Sequence, residues 1–162
     1  MSDLGLTHVA LAVRDLKASV SFYERYAAMT TVHRRSTAAE VGVAWLSDLT
    51  RPFVIVLIQA PGLNDTPLGP FGHLGVAVAG RAEVDRLVEL ARADGCLADG
   101  PTDSGPPVGY WAYIRDPDGN TLEVAYGQEV AFTVQAVVDT GYAHGDGPKK
   151  RAAALRQPPF RI

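Results

Sequence analysis

A short phrase occurs twice in this chain, and the repeat limits what the chain can fold into. The segment THVALAV at residues 7–13 returns as GHLGVAV at residues 72–78, so that His8 is followed 65 residues later by His73. Each copy places a histidine before an apolar run and is followed by a segment with helical spacing. A repeat of this length indicates a duplicated supersecondary unit with symmetry-related histidines. Two imidazoles related in this way are candidate ligands of one metal ion.

Composition narrows the class of protein. The chain has 162 residues, a net charge of −3 and 47% hydrophobic residues, which predicts one globular structural domain. A negative net charge does not favour nucleic-acid binding, and no apolar run is long enough to span a bilayer. The first residues do not resemble a signal peptide, and Cys96 is the only cysteine. We therefore expect a cytoplasmic protein with no disulfide, no nucleic-acid partner and no membrane segment.

The predicted elements follow one order, βαβββ, in both halves of the chain. The first module, residues 1–62, is predicted to contain strands at 5–13, 30–34, 41–46 and 53–59, and a helix after Asp15. The second module, residues 71–127, is predicted to contain strands at 73–79, 111–115 and 121–126, and a helix at 82–94. Residues 100–109 are predicted as a Pro/Gly loop, and residues 116–120 as a hairpin turn. Residues 128–162 form a carboxy-terminal extension, with a candidate strand at 129–138 and a basic tail at 143–162.

Strand alternation places both histidines on faces of small residues. The residues that share these faces are Ala10 and Ala12 with His8, Gly75 and Ala77 with His73, and Thr121 and Ala125 with Glu123. A carboxylate in the middle of such a strand is unusual unless it is paired or bound to metal. A single histidine on a strand is more often structural. Two in duplicated positions, joined by Glu123, favour a metal site.

Duplicated βαβββ modules that carry His8, His73 and Glu123 resemble the vicinal oxygen chelate superfamily of glyoxalases, bleomycin-resistance proteins and extradiol dioxygenases. The sharpest part of the resemblance is YIRDPDGNTLE at residues 113–123, which is similar to the closing hairpin of that family. The resemblance implies an α+β fold in which paired modules form a curved mixed sheet around a metal cavity, with the helices outside. It also implies a homodimer.

The same resemblance implies that His8, His73 and Glu123 are metal ligands. The fourth ligand position of the family falls near Val56 or Leu57, and we expect Leu57 to make that wall of the site apolar. Gln59 lies one pleat further along and is a weaker candidate. Two histidines and one carboxylate with open positions favour Fe(II) or Mn(II) over Zn(II). Such a metal polarises a small substrate that chelates it through two adjacent oxygens.

The sequence says less about which reaction is catalysed than about the metal ligands. Tyr113 lies ten residues before Glu123, a spacing similar to that of extradiol dioxygenases, and both are candidate catalytic residues. We therefore expect dioxygenase-type chemistry on a catechol-like or enediol substrate. The stretch 103–107 lacks the histidine that those enzymes carry, and His33 is a speculative replacement. The alternatives are a glyoxalase-like lyase, isomerase or thiol transferase, and a metal-free binding protein of the bleomycin-resistance type.

Overall fold

The structure, a computed structural model, describes residues 5–36, 41–62, 67–69 and 71–130. Its ten elements, in chain order, are β1 His8–Ala12, α1 Leu16–Ala27, β2 Thr30–Ser36, β3 Gly42–Ser47, β4 Val54–Gln59, β5 His73–Ala77, α2 Arg81–Ala93, β6 Leu97–Asp103, β7 Tyr110–Arg115 and β8 Thr121–Tyr126. This order repeats βαβββ and confirms the α+β architecture of paired modules.

The strands form two four-stranded mixed sheets, one from each module. Their strand orders are β1-β4-β3-β2 and β5-β8-β7-β6. In both sheets the first strand pairs in parallel with the last, and the other pairs are antiparallel. The two sheets therefore share one topology, and positions in one module have exact counterparts in the other.

Each helix covers one face of its own sheet. The Asp15 side chain accepts hydrogen bonds from the amides of Lys17 and Ala18 and caps α1, as the sequence predicts. Val20 and Tyr23 on α1 are buried in the core. The helix α2 ends before Gly95, whose positive φ of 71° suits the residue after a helix.

The second module contains one strand that the sequence analysis placed in a loop. Residues 97–103 form β6, although the prediction made 100–109 a loop because of its glycines and prolines. The strand lies at the edge of its sheet, and its register with β7 shifts on both sides of Asp99. Because an edge strand with irregular pairing tolerates proline, Pro101 does not break it.

The predicted hairpin turn at 116–120 is present, and it also joins the two modules. Its carboxylates Asp116 and Asp118 are buried. The hydroxyl of Tyr23 on α1 donates to Asp116 at 3.0 Å, and that of Ser19 donates to Asp118 at 2.9 Å. The Arg14 side chain donates to Asp118 at 3.0 Å. The first helix therefore contacts both its own sheet and the second module.

The chain divides into two compact units, residues 1–128 and residues 129–162. The candidate strand at 129–138 and the tail at 143–162 lie outside the described residues, apart from positions 129 and 130. Neither helix in the described ranges has the length and apolar character needed to cross a bilayer.

Candidate metal centre

Strand register brings three of the predicted site residues to one face of the second sheet. On β8, Glu123 lies opposite Tyr113 of β7, and Thr121 lies opposite His73 of β5. Residues paired across a ladder share a face, and so do residues two apart on a strand. His73, Tyr113 and Glu123 consequently project from the same surface.

The His73 imidazole is oriented by a backbone group. Its Nδ1 lies 2.9 Å from the carbonyl oxygen of Phe71. Because a carbonyl can only accept a hydrogen bond, Nδ1 carries the hydrogen, and in the neutral ring Nε2 presents a lone pair. This lone pair lies 3.3 Å from Oε2 of Glu123. Two electron-pair donors at this distance are held together either by a proton on Nε2, which makes an ion pair, or by a metal ion bound to both atoms. The second arrangement is the pattern of metal-ligating histidines.

The carboxylate of Glu123 is deeply buried, with 5% of the residue exposed. Its Oε1 accepts a hydrogen bond from Nε2 of Gln128. The Tyr113 phenol lies near this carboxylate, and burial together with the charge of Glu123 raises the pKa of the phenol. The phenol therefore keeps its proton at neutral pH and can donate it in a hydrogen bond.

Four rings form a continuous row beside the carboxylate. We call Phe71, His73, Tyr113 and Trp111 the aromatic row. Their consecutive centroid distances are 5.6, 5.3 and 4.5 Å. Phe71 at one end is 76% exposed. The row offers aromatic contact area beside the carboxylate of Glu123.

The first module has apolar side chains at the positions that match Glu123 and Tyr113. Ala10 of β1 lies opposite Val56 of β4, just as Gly75 lies opposite Glu123 in the second module. Trp45 lies opposite Val56, at the position that Tyr113 holds in the second module. Val56 therefore occupies the counterpart position of Glu123.

This register corrects the expectation that Leu57 takes the fourth ligand position. Leu57 is fully buried in the core on the helix side of the sheet, because a shift of one residue reverses the face of a strand side chain. Gln59 has a structural role, since its Oε1 accepts the Leu16 amide at 2.8 Å at the start of α1.

The structure does not bring His8 into the same group as His73 and Glu123. His8 is exposed, and its Nδ1 lies 3.0 Å from the Thr7 hydroxyl. Across the described ranges, no three His, Cys, Asp or Glu side chains converge as a metal ion would require. The strands β1 and β5, which carry the two histidines, belong to separate sheets. One chain therefore supplies two of the three predicted ligands at one place.

The sequence analysis missed two residues of this region. Gln128 follows the point at which the strand pattern ends, and Phe71 precedes the first predicted strand of the second module. The contact of each residue depends on backbone geometry. The turn at Gly127 brings the Gln128 side chain back to the strand, and Phe71 accepts through its backbone carbonyl. A polar side chain just beyond the strand that carries Glu123 was the only available signal for Gln128. His33 contacts Trp45, with a centroid distance of 5.1 Å, on the first sheet.

Comparison with known proteins agrees with this architecture. Residues 5–124 match the model of the Glyoxalase/Bleomycin resistance protein/Dioxygenase superfamily. This chain belongs to that superfamily. Its members include lyases, and at least one solved member holds a divalent metal.

Three relatives illustrate the similarity. The uncharacterized protein PA2024 of Pseudomonas aeruginosa is 38% identical over 125 residues, which are 76% of this chain and 89% of that protein. Lactoylglutathione lyase GLX1 of Arabidopsis thaliana is 32% identical over 124 residues, 72% of this chain but only 42% of that enzyme. A FosX variant of Listeria monocytogenes, complexed with Mn(II) and dihydroxypropylphosphonic acid, aligns with a TM-score of 0.63 and 18% identity over 82% of this chain and 99% of its own. This last likeness shows the shared fold alone.

Proposed function

We propose that this protein is a divalent-metal-dependent enzyme with ligands His73 and Glu123 from one copy of the chain and His8 from a second copy. The observation that carries this proposal is the pair of electron donors 3.3 Å apart, Nε2 of His73 and Oε2 of Glu123. The Phe71 carbonyl fixes the tautomer that leaves Nε2 available. We infer that a metal ion, in place of a proton on Nε2, is the cation that joins these two atoms.

A second copy of the chain supplies the third ligand. His8 occupies on β1 the position that His73 occupies on β5, and it is exposed. Within one chain, α1 makes side-chain contacts between the modules through Ser19 and Tyr23, which lie on the helix side of the first sheet. The face that carries His8 remains open to a partner. A symmetric homodimer would then contain two equivalent metal centres.

Two histidines and one carboxylate match the ligand set typical of Fe(II) and Mn(II) sites with open positions. Val56, where a second carboxylate would stand, contributes no ligand. When bound, the metal supplies Lewis-acid activation of a substrate that chelates it through two adjacent oxygens. The cytoplasm remains the expected location.

We further propose a small, oxygen-rich substrate with an aromatic or similarly flat body, and dioxygenase-type chemistry. The aromatic row provides ring contacts around His73, and Val56 and Trp45 add apolar side chains on the face that would come from the second copy. Tyr113 keeps its proton and is placed to donate a hydrogen bond near Glu123. Dioxygen is the oxidant: both of its oxygen atoms enter the product as a carbon–carbon bond beside the substrate oxygens breaks, so that no external reductant is needed.

A glyoxalase-like lyase is the second candidate, because a curated relative carries the name lactoylglutathione lyase. Moving a proton between adjacent carbons requires a base. Val56 removes the second carboxylate that could serve, so a lyase would have to use Glu123 or a group outside the described residues. The site geometry therefore supports oxygen chemistry better.

Metal content and oxygen uptake test the proposal. Protein purified anaerobically without chelating resins should contain, or take up, about one equivalent of iron or manganese per chain. Oxygen consumption with catechols, at matched metal loading, should exceed turnover of lactoylglutathione. The reverse ranking would establish the lyase. Failure to bind any divalent metal would leave a binding protein of the bleomycin-resistance type.

A further inference from the structure

We propose that Gln128 is a positioning residue that holds one oxygen of Glu123, so that the carboxylate presents only the other oxygen to the metal. This inference rests on the proposed metal centre. It assigns a role to a residue beyond the last strand of the second module.

The two carboxylate oxygens of Glu123 have different partners. The Gln128 side-chain amide donates to Oε1. The His73 imidazole lies 3.3 Å from Oε2. The amide thus marks Oε1 as the oxygen held by the protein and leaves Oε2 as the oxygen aimed at the metal position.

The backbone around Gln128 is shaped to bring the amide back to the strand. Gly127 has a φ of 79°, a left-handed conformation that favours glycine and turns the chain immediately after β8. The backbone of Gly109 packs against this turn. A Cβ at position 109 would lie 2.3 Å from the carbonyl oxygen of Tyr126 and 3.0 Å from the amide nitrogen of Gln128. Gly109 and Gly127 are therefore both needed to keep the Gln128 amide within hydrogen-bonding reach of Glu123.

The position of the amide affects how many metal positions remain open. Carboxylates bind metals through one oxygen or through both. With Oε1 held by Gln128, Glu123 would supply one ligand atom, and the two histidines would supply one each. If Oε1 also bound the metal, it would take one of the positions that a chelating substrate and dioxygen need.

Cobalt(II) is a suitable probe, because its visible absorption reports coordination number and geometry independently of catalysis. We would titrate Co(II) into the wild-type protein and into Gln128→Met, which keeps the size of the side chain and removes the donor. Loss of an outer-sphere hydrogen bond should weaken Co(II) binding by about 10-fold to 100-fold. The spectrum at saturating Co(II) should also change, because the released carboxylate adopts a new binding mode. Gln128→Leu should behave in the same way.

Gln59→Met is the matched control. Its amide oxygen caps α1, so this substitution should lower the melting temperature and leave the saturated Co(II) spectrum unchanged. The inference is overturned if Gln128→Met binds Co(II) within twofold of wild type with the wild-type spectrum. It is also overturned if affinity falls only together with the melting temperature while the saturated spectrum stays the same. If the wild-type protein binds no Co(II), the metal centre itself is wrong, and the role of Gln128 is wrong with it.

Discussion

The two modules have one topology but carry different chemistry on their matching faces. Both begin with a histidine at the head of the first strand, His8 or His73. On the neighbouring strand the second module carries Glu123 where the first carries Val56. A symmetric scaffold therefore supports an asymmetric site, with His73 and Glu123 together on one face and His8 without a matching carboxylate on the other.

The side chains around Glu123 also differ from those around its counterpart Val56. A buried carboxylate is costly without hydrogen bonds, and Glu123 has three neighbouring groups, from His73, Tyr113 and Gln128. In the first module the counterpart of Tyr113 is Trp45, and the counterpart of Glu123 is Val56, which needs no polar partner. The two modules therefore differ in several side chains around this position, and not only in the change from Glu123 to Val56.

The largest expected effect comes from removing the carboxylate. Glu123→Ala should weaken Mn(II) binding more than about 100-fold, since a lost ligand matters more than a lost outer-sphere contact. Its counterpart Val56→Ala should change Mn(II) affinity less than twofold and lower the free energy of unfolding by about 1–3 kcal/mol. Calorimetric titration and urea unfolding measure the two quantities. Equal Mn(II) affinity in the two variants would contradict the claim that only the second module supplies a carboxylate ligand.

Installing a carboxylate in the first module should have the next largest effect. In Val56→Glu the new side chain would supply a fourth ligand and raise Mn(II) affinity about 10-fold. Without metal the variant should be less stable by about 2–5 kcal/mol, because position 56 is only 9% exposed and offers the carboxylate no partner. Melting curves with and without Mn(II) would show a metal-dependent recovery. A variant equally unstable in both conditions would place position 56 away from the metal.

Removing the tyrosine hydroxyl should have a smaller effect. Tyr113→Phe removes the hydroxyl that lies near Glu123; this polar contact is worth about 1 kcal/mol, and its loss should weaken Mn(II) binding about fivefold. Trp45→Phe, at the matching position of the first module, should leave Mn(II) affinity unchanged. Competition with a fluorescent chelator resolves differences of this size. A larger effect from Trp45→Phe than from Tyr113→Phe would reverse the assignment of the two faces.

The smallest effect on metal binding is expected at the contact between the modules. Tyr23→Phe removes the hydrogen bond to Asp116 and should lower the free energy of unfolding by about 1–3 kcal/mol, with Mn(II) affinity within twofold of wild type. Burial and the charge of Asp116 raise the pKa of Tyr23 above its ordinary value of 10.0. The stability that this phenol contributes is therefore complete below pH 10 and declines as the pH rises above it.

Urea unfolding between pH 8 and pH 11 checks the pH dependence. Stability of the wild-type protein should fall more steeply above pH 10 than that of Tyr23→Phe. Parallel curves for the two proteins would show that Tyr23 does not contribute this dependence.

Much of the fold was visible in the sequence because the chain repeats itself. The repeat around His8 and His73, together with strand alternation, was enough to predict both modules and the face of Glu123. The strand β6 was missed because Gly100 and Pro101 are typical of loops, and only the sheet order reveals that they lie at an edge. The choice of Leu57 over Val56 was wrong by one residue, which is the limit of register prediction without pairing information.

The contacts between the two modules could not be predicted from the sequence. Hydrophobic periodicity shows which face of α1 is buried, but it does not show that Ser19 and Tyr23 bond to the turn at 116–120. The sequence likewise does not show that the strands of His8 and His73 lie in separate sheets. The contact of Gln128 with Glu123 was equally hidden, since it depends on the left-handed turn at Gly127.

One heterodimer tests the central claim that each metal centre is shared between two copies. His8→Ala and His73→Ala chains would be coexpressed with two different tags that contain no histidine, and the heterodimer isolated through both. In a shared arrangement, one site loses both histidines and the other keeps all three ligands. The heterodimer should therefore bind one Mn(II) per dimer with wild-type affinity, at a concentration where either homodimer binds none. A heterodimer that binds no Mn(II), or two chains that form no heterodimer, would contradict the account.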